Sequence, residues 1–159
     1  MITFEKNKQE WMEIELAIMN SNPAYNLLTH GRELLFEKDI KEEYKESVEL
    51  ETERYLVKEN DRWIGIIDFC PHNPKDGKPW IGLLVLHSSM QKKGKGKEVY
   101  HLFEEKLINR GFKEARLGII DGNRGARRFW ESLGFQQYTQ KEWKGKKIYC
   151  CQKKISNWS

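Results

Sequence analysis

The sequence predicts an α/β (α+β) fold, a mixed sheet with helices packed against it. Three observations predict this. The first third of the chain carries helical periodicity. A continuously apolar run, Trp80 to Leu86, reads as a central strand covered on both faces. Beyond that run, strand-like and helical segments alternate, as they do where helices cover a sheet. The 159 residues fit one domain, 1–159. A chain of that length buries about 70% of its unfolded surface, so its core needs neither a disulfide nor a metal.

Each element has its own signal. Ile2 to Phe4 is a candidate leading strand. Trp11 to Met19 reads as a helix with Trp11, Ile14, Leu16 and Ile18 largely on one side. Asn20-Ser21-Asn22-Pro23 ends it, because the position before a proline disfavours helix. Ala24 to Gly31 is read as a short connector with side chains unusual for a loop: Tyr25, Asn26, Leu27, Leu28 and His30. Arg32 to Glu46 is a charged surface helix. Arg54 to Val57 and Trp63 to Phe69 are β-rich runs around the turn Glu59-Asn60-Asp61, and Pro71 to Pro79 is a loop. After Leu86 and a Gly- and Lys-rich turn, Val99, Leu102, Phe103 and Leu107 define a helix that stops at Gly111. Ala115 to Ile120 is a strand, Arg124 to Ser132 a helix ending near Gly134, and two last strands flank Lys144-Gly145-Lys146.

Charged residues make up 33% of the chain and apolar ones 38%, but aromatics reach 12%, enough burial to argue against disorder. The net charge of +4 admits an anionic ligand and is too small to point to nucleic acid. The lysine clusters at 92–97 and 141–147 lack an interleaved stacking platform, which weakens a nucleic-acid-binding reading further. Three cysteines, Cys70, Cys150 and Cys151, form no CxxC pair and no zinc spacing, so no metal is expected, and the odd count suits a reducing compartment. Glu5 and Lys6 interrupt the first residues, which excludes a signal-peptide core there, and no run approaches the ~20 apolar residues of a membrane span. The expectation is a soluble, cytoplasmic protein with no membrane partner.

Gln91-Lys92-Lys93-Gly94-Lys95-Gly96-Lys97 lies between the central strand and a helix. Small residues there let backbone N–H groups approach a ligand, and a helix amino end adds partial positive charge. Read as a short glycine motif alone, the segment fits a solvated basic turn equally well. A Walker A loop is excluded by Lys92 and Glu98, and a dinucleotide fingerprint from Gly94 by Val99. What fits is Gln-x-x-Gly-x-Gly after an apolar strand, joined by a second block of Asn123, Ala126, Trp130 and Gly134-Phe135 at matching spacing. Together these resemble the GNAT superfamily of acyl-CoA-dependent N-acyltransferases, over roughly residues 55–155.

The resemblance implies a mixed central sheet splayed at a β-bulge, helices on both faces, and acetyl-CoA as co-substrate for direct transfer to a primary amine of a small molecule, peptide or protein. It implies that the Leu84 N–H is the oxyanion donor and that the Leu86 backbone pairs with the pantetheine arm. Backbone groups of Lys92, Lys93, Gly94, Lys95, Gly96 and Lys97, following Gln91, would hold the pyrophosphate. Asn123 would bond the pantetheine region, and Arg127 and Lys93 would meet the 3′-phosphate. The family's frequent tyrosine acid falls at Trp130, whose indole N–H is no acid near neutrality. Trp130 is then a cofactor-side wall, with Tyr138 or water as the proton source. Asp121 is a candidate base, its alternative an Asp-Gly turn. Asp68 is a candidate for binding a cationic substrate, its alternative a strand-end carboxylate. Tyr25, Asn26 and His30 are expected on the acceptor side. Without the tyrosine, a non-catalytic acyl-CoA sensor is the competing reading. The resemblance leaves a homodimer open.

Overall fold

The structure, a computed structural model, describes residues 1–156. The elements run β1 (Ile2–Lys6), α1 (Met12–Asn20), α2 (Pro23–His30), α3 (Glu37–Glu49), β2 (Glu53–Glu59), β3 (Arg62–Cys70), β4 (Trp80–Leu86), α4 (Lys95–Asn109), β5 (Glu114–Ile120), α5 (Arg124–Ser132), β6 (Gln136–Trp143) and β7 (Lys146–Lys154). The seven strands form one sheet in the order β1-β2-β3-β4-β5-β7-β6. All neighbours are antiparallel except β4 and β5, which the crossover through α4 makes parallel.

Strand alternation sends neighbouring residues to opposite faces of the sheet. Leu56, Ile66 and Val85 join Ile18 and Met19 of α1 and Leu35 in a core on one face. Val57, Ile67 and Phe69 join Val99, Tyr100, Phe103 and Leu107 of α4 and Trp130 of α5 on the other. Helices therefore cover both faces. Tyr100, fully buried, supplies the α4 packing that the sequence assigns to Leu102; Leu102 is half-buried.

Residues 23–30 form a helix where the sequence suggests a connector. Pro23 stops α1 but lacks only an N–H that no first-turn position can use, so the same proline begins α2. Gly31, left-handed at φ +76°, closes it. Helix α3 begins at Glu37, five residues later than Arg32 suggests. Residues 32–36 are bound instead to what surrounds them: the Leu35 N–H donates to Asn20 Oδ1 at 2.8 Å, and the Leu35 carbonyl accepts from Asn20 Nδ2 at 3.0 Å. Asp39 starts α3 by accepting from the Phe36 N–H at 2.8 Å, while Arg32 grips both its oxygens at 2.6 and 3.0 Å.

β4 is central but not covered along its whole length. It pairs with β5 only at Trp80–Arg116 and Ile81–Leu117, after which the two strands diverge. On its other side Asp68 stands opposite Leu83 and Phe69 opposite Ile81, so Gly82 has no counterpart and forms a bulge. The bulge falls where the strands part.

Candidate active site

A cavity of about 790 Å³ fills the gap between β4 and β5. Its walls are Leu83 to Leu86 on one side and Gly118 to Ile120 on the other, with Asn123, Phe129 and Trp130 of the α5 region and the first turn of α4 closing it. The main chain of β4 has a defined direction here. The His87 N–H donates to the Ile64 carbonyl at 2.8 Å, so residues of that parity, Val85 among them, bond to β3. Leu84 and Leu86 therefore direct their N–H and C=O groups toward the side that β5 has left. The Leu86 carbonyl is taken there by Asn22 Nδ2 at 3.0 Å and Gln91 Nε2 at 3.1 Å, and Gln91 Nε2 also donates to Asn22 Oδ1 at 2.5 Å. These bonds pin the start of α2 and the glycine-lysine turn to one point on β4.

That turn carries two left-handed residues, Lys92 at φ +63° and Gly94 at φ +72°. It delivers the amino end of the fifteen-residue helix α4 to the cavity. The first-turn N–H groups of Lys95, Gly96 and Lys97 have no intrahelical acceptor, and the helix dipole favours an anion in front of them. Gly96 has ordinary helical geometry, and its lack of a side chain matters for packing: a Cβ would stand 3.1 Å from Phe129 Cε1. Asn123 caps α5 by accepting from the Ala126 N–H at 3.0 Å, which leaves its amide donors for other partners. Trp130 lies edge-on to Tyr100, Phe129 and Phe135, with centroids 4.9–5.5 Å away, and presents an apolar wall to the cavity.

A second cavity of about 460 Å³ opens between α2, α3 and the loop before β4. It shares Tyr25, His30, Gly82 and Leu83 with the first, so the two meet at the bulge. At its floor Arg54 holds Asp68 through two bonds of 2.5 and 2.6 Å, and its Nη1 reaches Glu43 at 3.0 Å and Glu15 at 3.2 Å. Burial opposes the Arg54 charge, but Asp68, Glu15 and Glu43 together hold its pKa well above the ordinary value. Burial pushes the Glu15 carboxyl up, against the pull of Arg54. Burial likewise raises the Tyr25 phenol, with Glu43 and Asp68 adding to it.

Several expected site residues stand elsewhere. Tyr138 is on the exposed edge strand β6 with the Arg116 guanidinium 4.5 Å from its ring centroid, and does not line the cavity. Asp121 lies outside the cavity and accepts from the Tyr149 hydroxyl at 3.1 Å. Asn26 is fully buried, donates its amide to the carbonyls of Met19 and Glu33 at 2.9 and 3.0 Å, and lines neither cavity. The Lys95 ammonium turns to Glu59 and Glu98, at 2.6 and 2.9 Å. Arg127 bonds Gln137 at 3.0 Å and covers the Tyr149 ring, and neither it nor Lys93 lines the cavity. Asp68 is the partner of Arg54 and reaches only the second cavity. Tyr25 and His30 stand where the two cavities meet. Phe129, Trp143 and Glu43 join the site without a motif to announce them. The sequence does hold one signal for the ion cluster: Glu15 sits three residues before Ile18 on the buried side of α1.

A family model described as Acetyltransferase (GNAT) family matches residues 15–135. No curated protein matches the chain. Among solved structures it is similar to an acetyltransferase from Thermus thermophilus, at TM-score 0.81 and 17% identity over 96% of each chain. It is also similar to the Salmonella typhimurium acetyl transferase that modifies the N-terminal serine of ribosomal protein L7/L12, at TM-score 0.80 and 11% identity, covering 98% of this chain and 95% of that one. An aminoglycoside acetyltransferase in complex with coenzyme A aligns at TM-score 0.78 and 15% identity, over 97% and 95% of the two chains.

Proposed function

The chain belongs to the GNAT acetyltransferase family, and from that membership we propose that it moves an acetyl group from acetyl-CoA to a primary amine by direct attack. The observation that carries this reading is the parting of β4 from β5 after Ile81–Leu117, with the amino end of α4 at one end of the gap. The gap suits a long ligand with an anionic end. The first-turn amides of α4 suit its pyrophosphate, the Leu86 N–H and Asn123 its amide-bearing arm, and the Leu84 N–H the thioester oxygen, where a donor stabilises negative charge developing during attack. Trp130 and Phe129 form an apolar wall along the donor. The acceptor enters by the second cavity, because the first is occupied along its length by the donor. With Tyr138 outside the site and Trp130 no acid, water protonates the departing thiolate.

No helix among the described residues is long and apolar enough to cross a membrane. A cytoplasmic location belongs to the same proposal, supported by three cysteines that are all unpaired. Calorimetry with acetyl-CoA, followed by thiol release across a panel of primary amines, tests the function. Binding with transfer to at least one amine is the expected result; binding without transfer to any would support the sensor reading instead.

A further inference from the structure

We propose that His30, with the Glu43 carboxylate beside it, is the base that takes the proton from the attacking amine. The assignment rests on the acetyl transfer proposed above. An amine that enters by the second cavity and reaches the Leu84 N–H must pass the residues common to both cavities, Tyr25, His30, Gly82 and Leu83. Gly82 and Leu83 have no titratable side chain. The Tyr25 phenol, raised by burial and by Glu43 and Asp68, stays protonated near neutrality and has no proton-accepting form to offer. That leaves the imidazole of His30, whose ring carries a nitrogen that can accept a proton. The carboxylates Glu43, Glu46 and Asp68 line the second cavity alone.

The surroundings of His30 suit the task. Its Nε2 lies 3.7 Å from Glu43 Oε1, and the two side chains are 28% and 22% exposed. The other Glu43 oxygen accepts from Arg54 at 3.0 Å, and Arg54 is itself clamped by Asp68, so the carboxylate is tethered in place beside the ring. Positive charge formed on His30 meets that carboxylate and the carbonyl end of α2, which His30 terminates. In the step, the amine nitrogen bonds to the acetyl carbon as the carbon–sulfur bond breaks. The proton lost from nitrogen passes to His30 and then to solvent, and water returns one to the thiolate, so the products are the amide and the free thiol.

The test is His30→Gln in the full chain, read as thiol release with acetyl-CoA and the preferred amine, alongside coenzyme A affinity by calorimetry. We expect kcat to fall about a hundredfold or more, the scale of general base catalysis, with affinity for coenzyme A unchanged. Free imidazole should restore part of the rate to His30→Ala. Glu43→Gln should lower kcat by less than His30→Gln and leave KM for the amine unchanged, as a positioning residue would. A kcat in His30→Gln equal to that of the unaltered chain, or no effect of imidazole on His30→Ala, overturns the assignment while leaving acetyl transfer intact. Absence of turnover by the unaltered chain overturns the transfer reading and this assignment with it.

Discussion

Trp130 stands where the motif resemblance implies a tyrosine acid, and its neighbours decide what a substitution there does. Three rings surround it edge-on, and it is buried to 8% exposure. Trp130→Phe keeps most of that apolar wall, so kcat should stay near that of the unaltered chain. With water as the proposed proton source, Trp130→Tyr should add little; a hundredfold gain in kcat would show that proton donation limits the rate and that this reading is wrong. Truncation is different: Trp130→Ala should cost about 3–5 kcal/mol in denaturant unfolding, from the cavity it leaves. Gly96 is constrained by the same cluster. A valine there drives Phe129 out of its place, since even a Cβ approaches that ring at 3.1 Å. Gly96→Val should weaken coenzyme A at least tenfold, about 1.4 kcal/mol by calorimetry. Lys97→Ala should do less, because the proposed cradle is backbone. Unchanged affinity in a folded Gly96→Val chain would remove α4 from the binding site.

At the scale of elements, α3 depends on a cap that titrates. The hydrogen bonds from Arg32 hold the Asp39 carboxyl down at about 2, and the Phe36 N–H adds to them. A depressed carboxyl stabilises the fold above its unfolded pKa, near 4, and loses that contribution as pH falls through the folded value. Asp39→Asn should therefore be less stable than the unaltered chain at neutral pH, and the two should converge as pH drops from about 4 toward 2, measured by urea midpoints across that range. A gap that persists at pH 2 would place the effect in packing. The same region shows what the sequence conceals. Strand β4 and helix α5 are legible to the residue, because an unbroken apolar run and an Asn cap have few alternative readings. The helix α2 is hidden, because Pro23 marks an end and a beginning with one residue, and its eight residues are too few for a clear periodicity. The glycine-lysine turn and Asn123 are legible from local motifs. That Tyr138 and Asp121 stand outside the cavity is not legible, because position along the chain does not report where a side chain points, and the Arg54 cluster joins α1, α3, β2 and β3, which no local pattern links.

For the whole molecule, the sheet is two portions joined edge to edge by only the first residues of β4 and β5, and otherwise by the helices laid across them. A ligand in the gap touches both portions and has no counterpart site in the unfolded chain. Its binding must then add to stability by mass action, about 2.7 kcal/mol at a concentration one hundred times Kd. For a chain of this length that corresponds to a rise in Tm of about 5–11 °C. Coenzyme A should produce such a shift in the unaltered chain and a much smaller one in Gly96→Val at the same concentration. Amide exchange sharpens the expectation to single residues. Val85 shares the parity of His87 and bonds to β3 with or without ligand, whereas Leu84 and Leu86 direct their N–H groups into the gap. Exchange at Leu84 and Leu86 should slow markedly when coenzyme A is added, and exchange at Val85 should change only by the general gain in stability. Equal slowing at all three would mean that the ligand stabilises the fold from elsewhere, and the gap between β4 and β5 would no longer be the donor site.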